Sequence, residues 1–220
     1  MHMSSEKNTP ERDWLQDIST STVGHYEHNA VSFREGTWDH DVSQNRKALL
    51  SALAQHDSPH ILDFGCGPGR DLVAFQKDGA QVTGLDGSAT FCAMAEVASG
   101  APVLHQDFLA LELPDSHFDG IFANATLFHI PSREIARVLK ELGCALTEGG
   151  VLFVSNPRGQ NDEGWNGERY GSYYHPDTWK NIVEEAGFTL IEEYYRPPGR
   201  PRSEQPWFAT VWRKGSGPRN

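Results

Sequence analysis

The stretch that most constrains this chain is His60-Ile61-Leu62-Asp63-Phe64-Gly65-Cys66-Gly67-Pro68-Gly69-Arg70-Asp71-Leu72. A short apolar run ends in an acid, turns through three glycines and enters a segment of helical character. Apolar runs of this length, bounded by turn residues, form buried parallel strands. Gly65, Gly67 and Gly69 permit a tight turn and let bare backbone approach a ligand. Free N–H groups at the start of the following helix face the same point.

The spacing Asp-x-Gly-x-Gly-x-Gly differs from the dinucleotide fingerprint Gly-x-Gly-x-x-Gly and lacks the Gly-Lys-Ser/Thr ending of a phosphate-binding P-loop. An acid at the strand end suits a ligand that carries an ammonium group. About 20 residues on, the spacing of a ribose-binding carboxylate, the run Gln81-Val82-Thr83-Gly84-Leu85-Asp86 supplies a second acid. The pair resembles the first motifs of class I S-adenosylmethionine (SAM)-dependent methyltransferases; the plainer alternative is a βα turn that binds nothing. On that resemblance the cofactor would meet Asp63, Gly65, Cys66, Gly67, Gly69, Asp86 and Gly87.

A chain of 220 residues suits one domain with a sizeable core. A net charge of -11 argues against a nucleic-acid surface. No apolar run is long enough for a membrane span. Met1 to Asp13 is polar and lacks a secretory apolar core, so a cytoplasmic location is expected. Cys66, Cys92 and Cys144 show no metal-ligand or disulfide spacing; no metal site is expected. Cys66 reads as a small residue in the turn, Cys92 and Cys144 as core thiols.

Residues 1–20 and 215–220 read as disordered. Residues 21–57 read as a helical region: a short helix, a break at Gly36, and a helix with Ala48, Leu49, Leu50, Leu53 and Ala54 near one face. Tyr26, Phe33 and Trp38 among polar groups favour a lid over a mere cover. Residues 58–214 then alternate. Strands are expected at His60–Gly65, Ala80–Asp86, Pro102–Asp107, Phe118–Leu127, Gly150–Ser155, Phe188–Tyr195 and Trp207–Arg213. Helices are expected at Gly69–Asp78, from a Ser88 cap to Gly100, from a Ser132 cap to Leu146, and at Pro176–Ala186. This order implies an α/β fold, Rossmann-like, with helices on both faces of a mostly parallel sheet. The last two strands form a hairpin, so one edge is antiparallel, as in the seven-stranded class I methyltransferase sheet.

Ligands bind outside the carboxyl ends of such strands. After the third strand come Asp107 and Phe108, which in methyltransferases meet the adenine; an exposed cap is the alternative. After the fourth come Asn124 and Ala125, expected beside the methionine portion, and His129, either a catalytic group or a satisfied structural histidine. After the fifth comes Asn156, then residues 156–175, which read as a substrate loop. Arg158 and Arg169 there could grip a carboxylate, or pair with Asp162 or Glu163. The stretch Tyr194–Pro198 is a further possible wall, its tyrosines packing on the strand.

Taken together, HDVSQN, ILDFGCGPGRDL, GLDGS, HQDFLAL, FANATLFH, SNPRG, GWNGERYG and YYRPPGxPRxxQPW resemble the C-terminal methyltransferase module of ovothiol-biosynthesis enzymes, over about Tyr26 to Arg213. That module is often fused behind a nonheme-iron sulfoxide synthase; here it would stand alone, coupled to a separate synthase. The resemblance implies methyl transfer from SAM to the imidazole π-nitrogen of 5-thiohistidine, giving ovothiol A and S-adenosylhomocysteine. Tyr26 is then expected at the cofactor, His129 and Asn156 in catalysis, and Phe33, Asp39, Asp41, Arg158, Trp165, Arg169, Tyr170 and Tyr173 at the substrate. Arg158 or Arg169 would take its carboxylate and Asp39 or Asp41 its ammonium, while Arg70 could meet the carboxylate of SAM. His129, Asp39, Asp41 or Asn156 could select the reactive tautomer. The competing readings are a methyltransferase for another small molecule, a non-catalytic SAM-binding protein and, less well matched, a dehydrogenase.

Overall fold

A computed structural model of the chain describes residues 10–215. Three helices come first: α1 (Pro10–His28), α2 (Ala30–Thr37) and α3 (Ser43–Ala52). β1 (His60–Phe64), α4 (Arg70–Lys77), β2 (Gln81–Asp86), α5 (Ala89–Ser99), β3 (Val103–His105) and β4 (Phe118–Asn124) follow. Then come a 3-10 turn (Leu127–His129), α6 (Ser132–Ala145), β5 (Leu146–Pro157), a hairpin of β6 (Asp162–Asn166) and β7 (Arg169–Tyr173), α7 (Pro176–Glu185), β8 (Phe188–Arg196) and β9 (Trp207–Lys214).

The main sheet has seven strands in the order β3-β2-β1-β4-β5-β9-β8. β1 pairs in parallel with β2 (His60 opposite Gln81) and with β4 (Ile61 opposite Gly120). β9 runs antiparallel to both β5 and β8, so the expected terminal hairpin is present. Inner strands are apolar on both faces because both faces are covered. On one face Leu49, Leu53, Leu72 and Phe75 pack with Ile61, Phe122 and Phe153; on the other Val138, Leu142, Trp179 and Val183 pack with Leu62, Leu152 and Trp212. From β1 the chain builds outward through β2 to β3, then returns to place β4 on the other side of β1. Loops there diverge and open a crevice at the carboxyl ends of the strands.

Several boundaries differ from expectation. Residues 10–20 are helical, not disordered: they are the first half of α1, whose Ile18 is buried and whose Trp14 meets Tyr170 edge-on. The expected disorder of residues 1–9 and 216–220 falls outside the described residues. Gly36 does not break a helix; α2 runs through it to Thr37. α3 ends at Ala52, which leaves Ala54 exposed. Pro131, not Ser132, holds the N-cap position of α6; the N–H and hydroxyl of Ser132 bond instead to the Glu163 carboxylate. Cys144 is exposed rather than a core thiol. The supposed loop 156–175 is largely the β6–β7 hairpin, with Asn166 opposite Arg169 and Gly167 at φ +63°. Glycine at the first of the two central residues, Gly167-Glu168, is the signature of a type II′ hairpin turn.

Candidate active site

A cavity of about 680 Å³ lies in this crevice. Its floor is the glycine turn and the ends of β1, β2 and β4; α1 and α2 form its roof.

The two motif acids sit side by side in different states. Asp63, at the end of β1, is buried, and its Oδ2 has no partner. Burial first, then the charge of Asp71, holds its carboxyl well above the usual carboxylate range. Asp71 is itself shared by Arg46 at 2.9 Å and Arg70 at 2.6 Å. Asp86, at the end of β2, accepts the N–H groups of Gly67 and Ser88, each at 2.9 Å. Burial pushes its pKa up to about 6 against the pull of those bonds. Asp86 therefore fastens the glycine turn to the second strand end while still bordering the cavity.

The three glycines have separate reasons to exist. A Cβ on Gly65 would lie 2.5 Å from Thr126, and one on Gly69 would lie 2.7 Å from the Ala95 Cα. Only at Gly67 is the space above open, with the Phe33 ring 3.8 Å away. Gly65 and Gly67 border the cavity; Gly69, expected at the cofactor, does not, and serves the packing of α4 on α5. Burial raises the thiol pKa of Cys66, which also lines the cavity.

Gly87, Asp107, Phe108, Asn124 and Ala125 all line the cavity, as do Tyr26 and Phe33 from above. Asp107 accepts the Ser19 hydroxyl of α1 at 2.6 Å, and Phe108 packs on Phe64 with ring centroids 4.5 Å apart. Asn124 accepts from Asn45 at 2.8 Å, and Asn45 in turn accepts the Tyr194 hydroxyl at 2.9 Å. Ala125 holds φ +62°, rare for a residue with a side chain. Glu27 latches α1 to the start of α5 by accepting from the Ser88 hydroxyl at 2.5 Å and from Thr90.

Under that roof Tyr26, His129 and Arg169 meet. His129 Nδ1 lies 2.7 Å from the Tyr170 carbonyl, which can only accept, so Nδ1 carries the proton. Nε2 is then the acceptor for the Tyr26 hydroxyl, 2.8 Å away. The Arg169 guanidinium carbon lies 6.0 Å from the centre of the Tyr26 ring. Burial pulls the His129 pKa down to about 4, so this imidazole is neutral and both its nitrogens are engaged.

Other expected site residues lie elsewhere. Arg158 donates to the carbonyls of Gln205 (2.7 Å) and Arg202, so it ties down the β8–β9 connection, and it does not line the cavity. Asn156 is buried on the far side of β5 from the cavity; its neighbour Ser155 faces the cavity, because alternate strand residues point to opposite faces. Trp165 is 49% exposed on the hairpin. Tyr170 is packed between Trp14 and Trp165, and Tyr173 sits behind Phe128. Asp39 is exposed beyond the rim, whereas Asp41 lines the cavity and accepts the Ser43 N–H. Trp38 lies under Arg34, away from the site. Thr22, Phe91 and Asp71 line the site but were absent from the sequence reading of it; Arg196, which also lines it, fell within the suspected wall Tyr194–Pro198.

Residues 62–154 match the family model described as a methyltransferase domain. An uncharacterized methyltransferase of Mycobacterium tuberculosis is 36% identical over 110 residues, which covers 49% of this chain and 55% of that protein. A trans-aconitate 2-methyltransferase of Paracidovorax citrulli is 30% identical over 156 residues, 67% of this chain and 58% of that one. The chain thus spans about half the length of the curated relatives it matches. A solved 1,6-didemethyltoxoflavin-N1-methyltransferase of Burkholderia thailandensis, with 1,6-didemethyltoxoflavin and S-adenosylhomocysteine bound, has a TM-score of 0.74 at 18% identity, covering 97% of this chain and 94% of that one. No helix among the described residues is long and apolar enough to cross a membrane. Residues 62–154 thus match the methyltransferase-domain model, and the seven-stranded sheet has the Rossmann-like fold of the solved methyltransferase.

Proposed function

We propose that the chain is a SAM-dependent methyltransferase for a small polar molecule, and that its substrate is 5-thiohistidine, methylated on the imidazole π-nitrogen to give ovothiol A. The observation that carries the coarser reading is the unpartnered Asp63 carboxyl oxygen beside open backbone at Gly67. That arrangement suits SAM: a buried acid awaits an ammonium, and a bare glycine leaves room for the ligand. Asp63 and Arg70 would hold its amino-acid end, Asp86 its ribose hydroxyls, and Asp107 with Phe108 its adenine. When bound, SAM supplies an electrophilic methyl on a sulfonium. The finer reading is supported by the resemblance of SNPRG, GWNGERYG and HDVSQN to the ovothiol module.

The chain's own residues orient the nucleophile and exclude water. An imidazole nitrogen attacks only when it carries no proton, so the opposite nitrogen must hold the hydrogen. His129 cannot accept that hydrogen, since its Nε2 is engaged by Tyr26. The Tyr26 oxygen, held by its bond to His129, keeps lone pairs for it, and Asp41 is a further acceptor on the cavity wall. A separate sulfoxide synthase would act upstream of this reaction.

The test is mass spectrometry of the products of SAM with 5-thiohistidine, histidine, cysteine and an ergothioneine-type thiol, with fragmentation to place the new methyl. Methyl on the π-nitrogen of 5-thiohistidine alone is the expected result. Transfer to sulfur, or to another compound in preference, overturns the substrate. SAM binding without any turnover favours a non-catalytic SAM-binding protein.

A further inference from the structure

Several arginines of this acidic chain are spent on carboxylates. Arg46 and Arg70 share Asp71, Arg137 lies between Glu134 and Glu141, and Arg200 faces Glu204. Arg169 and Arg196 both line the cavity, and among the described residues no carboxylate lies within 4 Å of either guanidinium. Arg196 stands at the end of β8. Its Nη2 donates to the main-chain carbonyl of Asp41 at 2.8 Å, and its Nε–H is buried with no partner. A buried N–H without an acceptor is unfavourable unless a ligand supplies one. The Asp41 carboxylate borders the same space, turned to the Ser43 N–H rather than to the guanidinium. One cation and one anion thus stand on the same wall with no direct ion pair between them.

We infer that Arg196 and Asp41 form the recognition site for the head group of an α-amino acid, Arg196 taking the carboxylate and Asp41 the ammonium. Arg196 fills the role that Arg158, held by main-chain carbonyls, cannot. A guanidinium with a free edge binds a carboxylate through paired N–H groups, which gives orientation as well as affinity. The inference rests on the cavity being a methyl-transfer site and narrows its substrate to amino acids.

The test is calorimetry on the S-adenosylhomocysteine-loaded protein with four probes: 5-thiohistidine, L-histidine, histamine and imidazolepropionic acid. Histamine lacks the carboxylate and imidazolepropionic acid the ammonium. Each is expected to bind roughly 10- to 100-fold more weakly than histidine, the range of a hydrogen bond to a charged group. In R196Q the histidine–histamine gap should close while the gap to imidazolepropionic acid persists, and D41N should do the reverse. R196K should recover part of the lost affinity. Unchanged S-adenosylhomocysteine binding in each variant shows that the fold is intact. Equal binding of histidine and histamine by the native protein, a gap that survives in R196Q, or no binding of any probe overturns the inference. Carboxylate-dependent binding of 5-thiohistidine without methyl transfer leaves this site standing and removes only the proposed reaction.

Discussion

His129 lies where a catalytic base would be expected, but its surroundings hold it neutral. The Tyr170 carbonyl fixes the proton on Nδ1 and the Tyr26 hydroxyl occupies Nε2. Burial brings its pKa down from 6.5 to about 4. The unfolded chain takes up the proton near 6.5 and the folded chain only near 4, so low pH favours unfolding. The stabilising effect is complete above pH 6.5 and is lost as pH falls toward 4; over that window it amounts to about 3 kcal/mol. Urea unfolding at pH 7.5 and pH 4.5 should therefore show a smaller acid-induced loss for H129Q than for the native chain. Nitrogen-detected NMR should find the Nδ1–H tautomer at pH 6. A His129 that titrates near 6.5 would contradict this account. The sequence identified His129 as a site residue but not its state, because the tautomer is set by Tyr170 and Tyr26, 41 and 103 residues away.

At the scale of elements, the glycine motif was legible as a turn but not as three different demands. Gly69→Ala places a methyl 2.7 Å from the Ala95 Cα with φ held at +90°. Overpacking and left-handed strain together should cost about 3 kcal/mol. Gly67→Ala meets only the Phe33 ring at 3.8 Å, at φ +51°. It should cost about 1 kcal/mol in stability yet weaken S-adenosylhomocysteine at least tenfold. Denaturant unfolding and calorimetry on the two variants separate the effects; equal losses on both measures in both variants would refute the division. The alternation of β1, α4, β2 and α5 was readable because strands buried on both faces are continuous apolar runs. The first half of α1 was not readable. Its position depends on single polar contacts such as Ser19 with Asp107 and Glu27 with Ser88, which leave no apolar period to detect. The choice between Arg158 and Arg196 was equally hidden, since it turns on where the β8–β9 connection folds back.

For the molecule as a whole, the site has a rigid floor and a separately fastened roof. The floor belongs to the parallel sheet and its two cores. The roof is α1 and α2; Ser19, Tyr26 and Glu27 bond it to the segments after β3, β4 and β2, and Thr22 bonds it to Tyr170 of the β6–β7 hairpin. Such an arrangement predicts that a ligand under the roof stabilises both parts together. At a hundredfold excess over its dissociation constant, S-adenosylhomocysteine should add about 2.7 kcal/mol, which for a domain of this size raises Tm by about 5–10 °C. NAD at the same concentration should not move it. Hydrogen exchange should slow most along residues 18–28, because their amides open when the latches part without the sheet unfolding. Glu27→Ala removes the latch to Ser88 and Thr90 without touching the floor. It should speed exchange in α1 and weaken S-adenosylhomocysteine several-fold, with the sheet amides unchanged. If exchange in the sheet rises equally, roof and floor unfold as one unit, and the roof is not a separately fastened element.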